Sequence, residues 1–349
     1  MSQFASARLN AIEAYTPGEQ PRDKQYIKLN TNESPFPPSP GVVSAIAADE
    51  VRDLRLYCDP TCQALRGKLA ERYDVCANNV FVANGSDDIL NFAFMAYGQN
   101  GAVFADITYG FYSVFAQLHN VQAEIVPLSE DFTLPVEKFC NKGKLVVIAN
   151  PNAPTGMDIP LSDVEKIVKS NPDSVVLIDE AYVDFGGVSC AVMTKKYPNL
   201  LCVGTFSKSR SLAGARLGFC IANEALIQDL EKIKYSTNPY NVNRLTQLAG
   251  FWALEENEYY AENAAKIMKN REFTVCELEK MGFSVLPSKA NFVFAKHEKI
   301  SGEELYAKLK DKGVLIRHFG SERIKEYNRI TIGSREEMEI FIQKVGECL

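Results

Sequence analysis

Histidine is nearly absent from this chain: three in 349 residues, His119, His297 and His318, standing far apart. Tryptophan occurs once. None of the nine cysteines (Cys58, Cys62, Cys76, Cys140, Cys190, Cys202, Cys220, Cys276 and Cys348) forms a CxxC pair or stands at ligand spacing from a histidine. No metal site is therefore expected, and the thiols read as reduced side chains of a cytoplasmic protein. There is no basic block, and the net charge of −6 argues against nucleic acid and anionic membrane as partners. No apolar run reaches the ~20 residues of a membrane helix. The opening MSQFASARLNAIEAY lacks the apolar core of a signal peptide, so the glycosylation match at Asn32-Glu33-Ser34 carries no weight. Neither GxxxxGK nor GxGxxG occurs, which disfavours a nucleotide-binding Rossmann protein.

What is present is ordinary globular composition, 46% hydrophobic and 23% charged, and enough chain for a core that needs no disulfide. Residues 1–40 are polar and proline-rich and read as an irregular N-terminal arm packing with the small domain. Pro35, Pro37, Pro38 and Pro40 speak against a regular helix there. Residues 41–240 alternate β-branched apolar runs with amphipathic stretches. NNVFVANGS precedes DDILNFAFMAYG, GAVFADITY precedes FYSVFAQLHN, and KLVVIANPNAPTG precedes LSDVEKIVKS; AEIVPLS, SVVLIDEAYVDF, NLLCVGTFSK and GFCIAN complete the set. This pattern predicts a large α/β domain with a mainly parallel, helix-covered sheet. Residues 241–349 form a smaller α+β domain. A long charged helical pattern over 252–282 leads into the short strands FSVLP, NFVFAKH, GVLIRHF and NRITIG, with the helix EELYAKLKDKG among them.

In such sheets ligands gather at the carboxyl ends of strands, and several chemically active residues fall there. Asn84-Gly85-Ser86-Asp87 closes one strand and opens a helix, whose N-terminus attracts an anion; it also reads as a simple capped helix start. Asp179 ends the run VVLID, where a carboxylate is costly to bury unless paired. It is either a capping or ion-paired residue or the partner of a buried cationic ring nitrogen. Lys208 ends NLLCVGTFSK and is either solvated or an imine-forming amine. Arg216 can clamp a phosphate, Thr205 and Ser207 add hydroxyl donors, and Tyr109 can stack on a flat ring or simply pack. Together they match the needs of pyridoxal 5′-phosphate: a phosphate cradle, an imine lysine and an acid for the ring nitrogen.

The motifs NGSDD, NPNAPTG, DEAYVDF and TFSKSRSLAGARLGF, in this order and spacing, resemble those of the fold type I, aspartate-aminotransferase-like enzymes that use this cofactor. The likeness runs nearly end to end. KLNTNESPFPPSP, LYCDP, TYGFYSVFA and RITIGSREE resemble the histidinol-phosphate aminotransferases more closely. The resemblance implies that residues 41–240 are the cofactor-binding domain. Lys208 would hold the cofactor as an internal aldimine, Asp179 would bond its pyridine nitrogen, and Tyr182 its phenolic oxygen. Ser86, Asp87, Thr205, Ser207 and Arg216 would cradle the phosphate, and Tyr109 would stack on the ring. Tyr57 would reach the neighbouring subunit's cofactor in a symmetric homodimer with shared sites. Arg329, helped by Arg317, would bind the acidic end of either substrate, and Tyr15, Asn32 and Asn291 would line the substrate pocket.

The implied reaction is ping-pong transfer of the amino group of L-histidinol phosphate to 2-oxoglutarate, giving imidazole-acetol phosphate and glutamate in histidine biosynthesis. An aromatic amino-acid aminotransferase, a threonine-phosphate decarboxylase and, more remotely, a non-catalytic cofactor-binding regulator share the scaffold. One departure stands out. Many relatives carry an asparagine immediately before Pro-Thr-Gly that bonds the cofactor's phenolic oxygen; this chain has Ala153 there and Asn152 one position earlier. Alanine cannot make that bond. Asn152 is expected to reach in, its alternative being to stabilise the turn before Pro154.

Overall fold

A computed structural model describes residues 12–46 and 48–349. The first eleven residues of the expected arm, and Ala47, lie outside the described residues. The strands in chain order are β1 (Ile27–Lys28), β2 (Val80–Ala83), β3 (Ala102–Ala105), β4 (Ala123–Val126), β5 (Leu145–Ala149), β6 (Val176–Asp179) and β7 (Leu200–Thr205). They continue with β8 (Gly218–Ala222), β9 (Phe283–Val285), β10 (Phe292–His297), β11 (Val314–Leu315), β12 (Arg317–His318) and β13 (Tyr327–Thr331).

The central sheet has seven strands in the order β2-β8-β7-β6-β5-β3-β4. All are parallel except β8, which runs antiparallel to both β2 and β7. Alternation along each strand explains why the runs are apolar throughout. Val80 and Val82 enter one core cluster and Phe81 and Ala83 the other; Val146 and Ile148 likewise oppose Leu145 and Val147. With both faces buried under helices, the inner strands leave no position for a charge until the chain reaches a strand end; only the edge strand β4, with its exposed face, carries one, Glu124. There the sequence changes to Asn84-Gly85-Ser86 after β2, Asp179 closing β6, and Ser207-Lys208 after β7. Helix Ser86–Tyr97 starts directly from β2, and helix Phe111–His119 follows β3 after a short turn.

A second sheet, β12-β13-β10-β9, is wholly antiparallel. Its core joins helix Asn257–Lys280 and helix Arg335–Gly346 through Ile267, Leu278, Phe292, Ile330, Met338 and Phe341. Helix Arg335–Gly346 opens on a capping box, with Ser334 accepting from the Glu337 N–H and Glu337 accepting from the Ser334 N–H.

Three local expectations need correction. The arm is not irregular throughout: β1 pairs in parallel with β11, Ile27 opposite Val314. Pro40 does not prevent a helix but begins one, Pro40–Ala45, where its missing N–H costs nothing. The pattern over 252–282 spans two helices, Arg244–Glu255 and Asn257–Lys280, meeting at Glu256. No helix among the described residues is long and apolar enough to cross a membrane.

Candidate active site

The strand ends converge on one open pocket with about 630 Å³ of empty space. Nine residues singled out in the sequence line it: Ser86, Asp87, Tyr109, Asp179, Tyr182, Thr205, Ser207, Lys208 and Arg216. Ala149, Pro151, Ala153, Ala181 and Ala213 complete the wall.

At one end Arg216 is held with φ of 55°, in the left-handed region, and its Nη2 lies 2.8 Å from Asp87 Oδ2. The other Asp87 oxygen accepts from the Tyr109 hydroxyl at 2.9 Å. Two glycines permit this closeness. A Cβ on Gly85 (φ 86°) would fall 2.8 Å from the Arg216 guanidinium, and one on Gly218 would fall 2.2 Å from the Ser86 nitrogen. Thr205 Oγ1 donates to Ser207 Oγ at 3.0 Å and accepts from the Ser207 N–H at 3.1 Å, fixing the turn that precedes Lys208.

In the middle stand an amine and an acid. Lys208 is half-buried; its Nζ lies 3.4 Å from the Thr31 carbonyl and 5.8 Å from the centre of the Tyr182 ring. Asp179 is buried and has no ion-pair partner among the described residues. Burial pushes its carboxyl up to about 6, against the pull of the Tyr112 hydroxyl and the Ala181 N–H.

At the far end the Tyr182 hydroxyl accepts from Asn32 Nδ2 at 2.9 Å. Asn32 is itself buried at φ 55°, with its Oδ1 accepting from the Thr331 hydroxyl at 2.9 Å and its carbonyl from Asn291 Nδ2 at 3.1 Å. Arg317 and Arg329 are direct cross-strand neighbours on β12 and β13. Arg329 Nη2 donates to the Asn30 carbonyl at 3.0 Å, while its Nε is buried without a partner. Burial lowers the proton affinity of its guanidinium. Both guanidinium groups lie over the Phe319 ring, at 5.7 and 5.8 Å. Like charges placed opposite one another destabilise a sheet unless an anion sits between them. Arg317 also reaches the arm, donating to the Thr16 carbonyl at 3.3 Å. Tyr15 stacks on Phe111 at 4.2 Å, and its hydroxyl is pushed up by burial, offset by the two arginines.

Asn152 does not join the pocket, and Tyr57, expected at a neighbouring subunit's cofactor, lies away from it. Asn152 is engaged elsewhere: its Nδ2 donates to the Ile107 carbonyl and to Thr155 Oγ1, and its Oδ1 accepts from Thr108. It stabilises the turn, and Ala153 faces the pocket instead. Tyr57 is 80% exposed and stacks on Tyr240, on the outer surface. Sequence reasoning missed Tyr112 and Thr331, which act on the pocket through Asp179 and Asn32; both were hidden in runs that read as core. Glu180, Cys190 and Cys202 form the one buried cluster of possible metal ligands among the described residues, but the Glu180 oxygens already accept from the Ser189 hydroxyl and the Cys190 N–H.

A mainly parallel sheet with a lysine, a buried acid and an arginine at its strand ends has the architecture of the fold type I class. The family described as aminotransferase class I and II matches residues 24–345, and the chain belongs to it. Two full-length relatives are each described as histidinol-phosphate aminotransferase. That of Brachyspira hyodysenteriae is 51% identical over 99% of this chain and 98% of its own length. That of Clostridium acetobutylicum is 47% identical over 100% of both. Within the wider family the chain therefore falls in the histidinol-phosphate aminotransferase group. The crystal structure of histidinol-phosphate aminotransferase from Sinorhizobium meliloti, in complex with pyridoxal-5′-phosphate, superposes with a TM-score of 0.89, covering 100% of this chain and 98% of that one at 23% identity; it shows the shared fold.

The family implies pyridoxal phosphate, and the residues fit it. Asp179 is a desolvated acid awaiting a cation. Ser86, Thr205, Ser207 and Arg216 could hold the cofactor's phosphate, and Lys208 in the same wall has the amine that could bond its aldehyde.

Proposed function

We propose that the chain binds pyridoxal 5′-phosphate in this pocket and transfers the amino group of L-histidinol phosphate to 2-oxoglutarate, yielding imidazole-acetol phosphate and glutamate. The observation that carries the substrate reading is the Arg317–Arg329 pair. It is a cross-strand cationic pair close to Tyr182 and Tyr15, with a buried Nε left unsatisfied and no carboxylate on Arg329. An arginine fork accepts a phosphate from one substrate and a carboxylate from the other.

When bound, the cofactor supplies an electron sink for the bond broken at the substrate Cα. Lys208 is the attachment point and, once freed, the base that takes the Cα proton. Asp179 lies where a cationic ring nitrogen would offset its burial. Tyr182, held by Asn32, presents its hydroxyl to the side where Ala153 offers none. Arg216, Ser86 and Ser207 bind the phosphate, and Tyr109 walls one face.

The active form is proposed to be a homodimer. Exposed apolar side chains concentrate on residues 43–57 and 240–252, including Val51, Leu54, Tyr57 and Trp252, and the helices bearing much of this surface pack together. A second copy covering this face would bring Tyr57 to the partner's pocket. The reading extends to a reducing cytoplasm, consistent with all nine cysteines being free thiols.

A donor panel tests the reaction. Histidinol phosphate is expected to outpace phenylalanine by at least about a hundredfold in kcat/KM, because only it engages the fork with a dianion. Release of carbon dioxide from threonine phosphate at a comparable rate would instead make the chain a decarboxylase.

A further inference from the structure

Asp179 is held from behind. Its Oδ2 accepts from the Tyr112 hydroxyl at 2.8 Å and its Oδ1 from the Ala181 N–H at 3.2 Å. Tyr112 is wholly buried on helix Phe111–His119, and its phenol is kept firmly protonated by that burial and by the adjacent carboxylate. Its ring meets Tyr109 edge-on, with centroids 5.7 Å apart at 84°, and packs against Phe104 at 5.9 Å. Phenylalanine would fill the same aromatic niche with no hydroxyl to satisfy. The one feature the hydroxyl adds is its bond to Asp179.

We infer that Tyr112 is a positioning residue for the reaction: its hydroxyl holds Asp179 ionised and turned so that the remaining carboxylate lone pairs face the pocket. The inference rests on the reading of Asp179 as the partner of the cofactor's ring nitrogen. A carboxylate in a dry site takes up a proton unless donors compensate for lost water. The charges nearest Asp179 make this harder. Asp87 and Glu180 both repel its negative charge. Lys208 and Arg216 share the pocket wall, but neither bonds to it among the described residues. Tyr112 and one backbone N–H therefore carry the task. Tyr112 also ties Asp179 to the opposite wall, since the ring it packs against, Tyr109, donates to Asp87.

Tyr112→Phe removes a single oxygen and keeps the ring. In cofactor-free protein a carboxyl-carbon NMR titration follows Asp179 without reference to activity. The midpoint is expected at about 6 in the parent chain and about one unit higher in Tyr112→Phe, a tenfold change in proton affinity. The sign follows from losing a donor that favours the ionised form. In the holoenzyme, the dissociation constant for pyridoxal phosphate is expected to rise about twofold at pH 7 and about tenfold at pH 5, the deficit shrinking as pH rises and Asp179 ionises in both proteins. At pH 7 kcat falls while KM for the amino donor stays within about twofold. Placing 3,5-difluorotyrosine at position 112 strengthens the donor and moves the midpoint down; it decides the matter if the phenylalanine variant does not fold. Coincident titrations in all three proteins would overturn the inference and leave Tyr112 a packing residue. A shifted titration in a protein without aminotransferase activity would uphold the inferred contact and overturn only the reading of the site.

Discussion

Two arginines, one in the pocket wall and one on β13 near Tyr182, are built differently. Arg216, nearly half exposed, is already neutralised by Asp87 at 2.8 Å. Arg329 is half-buried with its Nε wholly enclosed and unpartnered, has no carboxylate, and stands opposite another arginine. A balanced cation can wait indefinitely without ligand; an unbalanced half-buried one is costly and is relieved each time an anion arrives. The cradle end therefore suits a phosphate that stays, held by a preformed network. The fork end suits anions that come and go, and it need not distinguish a phosphate from a carboxylate, as a two-substrate reaction requires.

Substitutions can break or sharpen this contrast. Lys208→Ala is expected to abolish turnover, by more than about 10⁴-fold, with phosphate and substrate ends intact; a single-turnover assay checks it. Asp179→Ala is expected to bind the cofactor more weakly and, with cofactor and substrate both saturating, to lose about 10²–10³ in kcat. Arg329→Gln is expected to reduce kcat/KM about a hundredfold for both histidinol phosphate and 2-oxoglutarate, leaving cofactor affinity unchanged. Arg216→Gln should do the reverse, raising the dissociation constant for the cofactor about tenfold with KM values nearly constant. If the two arginine variants gave the same pattern, the contrast would be lost. Asn152→Ala is expected to cost about 1–2 kcal/mol of stability, read from denaturant unfolding, with kcat unaltered.

The cradle end was the more legible in the sequence. Its residues follow apolar strands directly, so Asp179, Lys208 and Ser86 announce themselves as polar groups where burial ends. The fork end is assembled from Asn32, Asn291, Arg317, Arg329 and Thr331, residues up to 299 positions apart that meet only through tertiary packing. Arg329 came into view only through the family resemblance, and its lack of a carboxylate partner is a fact of the fold. The two-residue strand β1 escaped notice for the same reason, since its partner is β11. Asn152 misled because spacing alone cannot say which way an amide turns; Thr108, Thr155 and the Ile107 carbonyl claim it first. Tyr112 was invisible because a tyrosine on the apolar face of a helix looks like core until its hydroxyl is found on a carboxylate.

The most direct test is chemical. Protein incubated with pyridoxal phosphate and reduced with borohydride should, on peptide mapping, carry one phosphopyridoxyl group on Lys208, and an excess of histidinol phosphate added before the reductant should prevent the labelling. A group fixed at any other lysine, or a label at Lys208 that the amino donor cannot displace, would contradict the account.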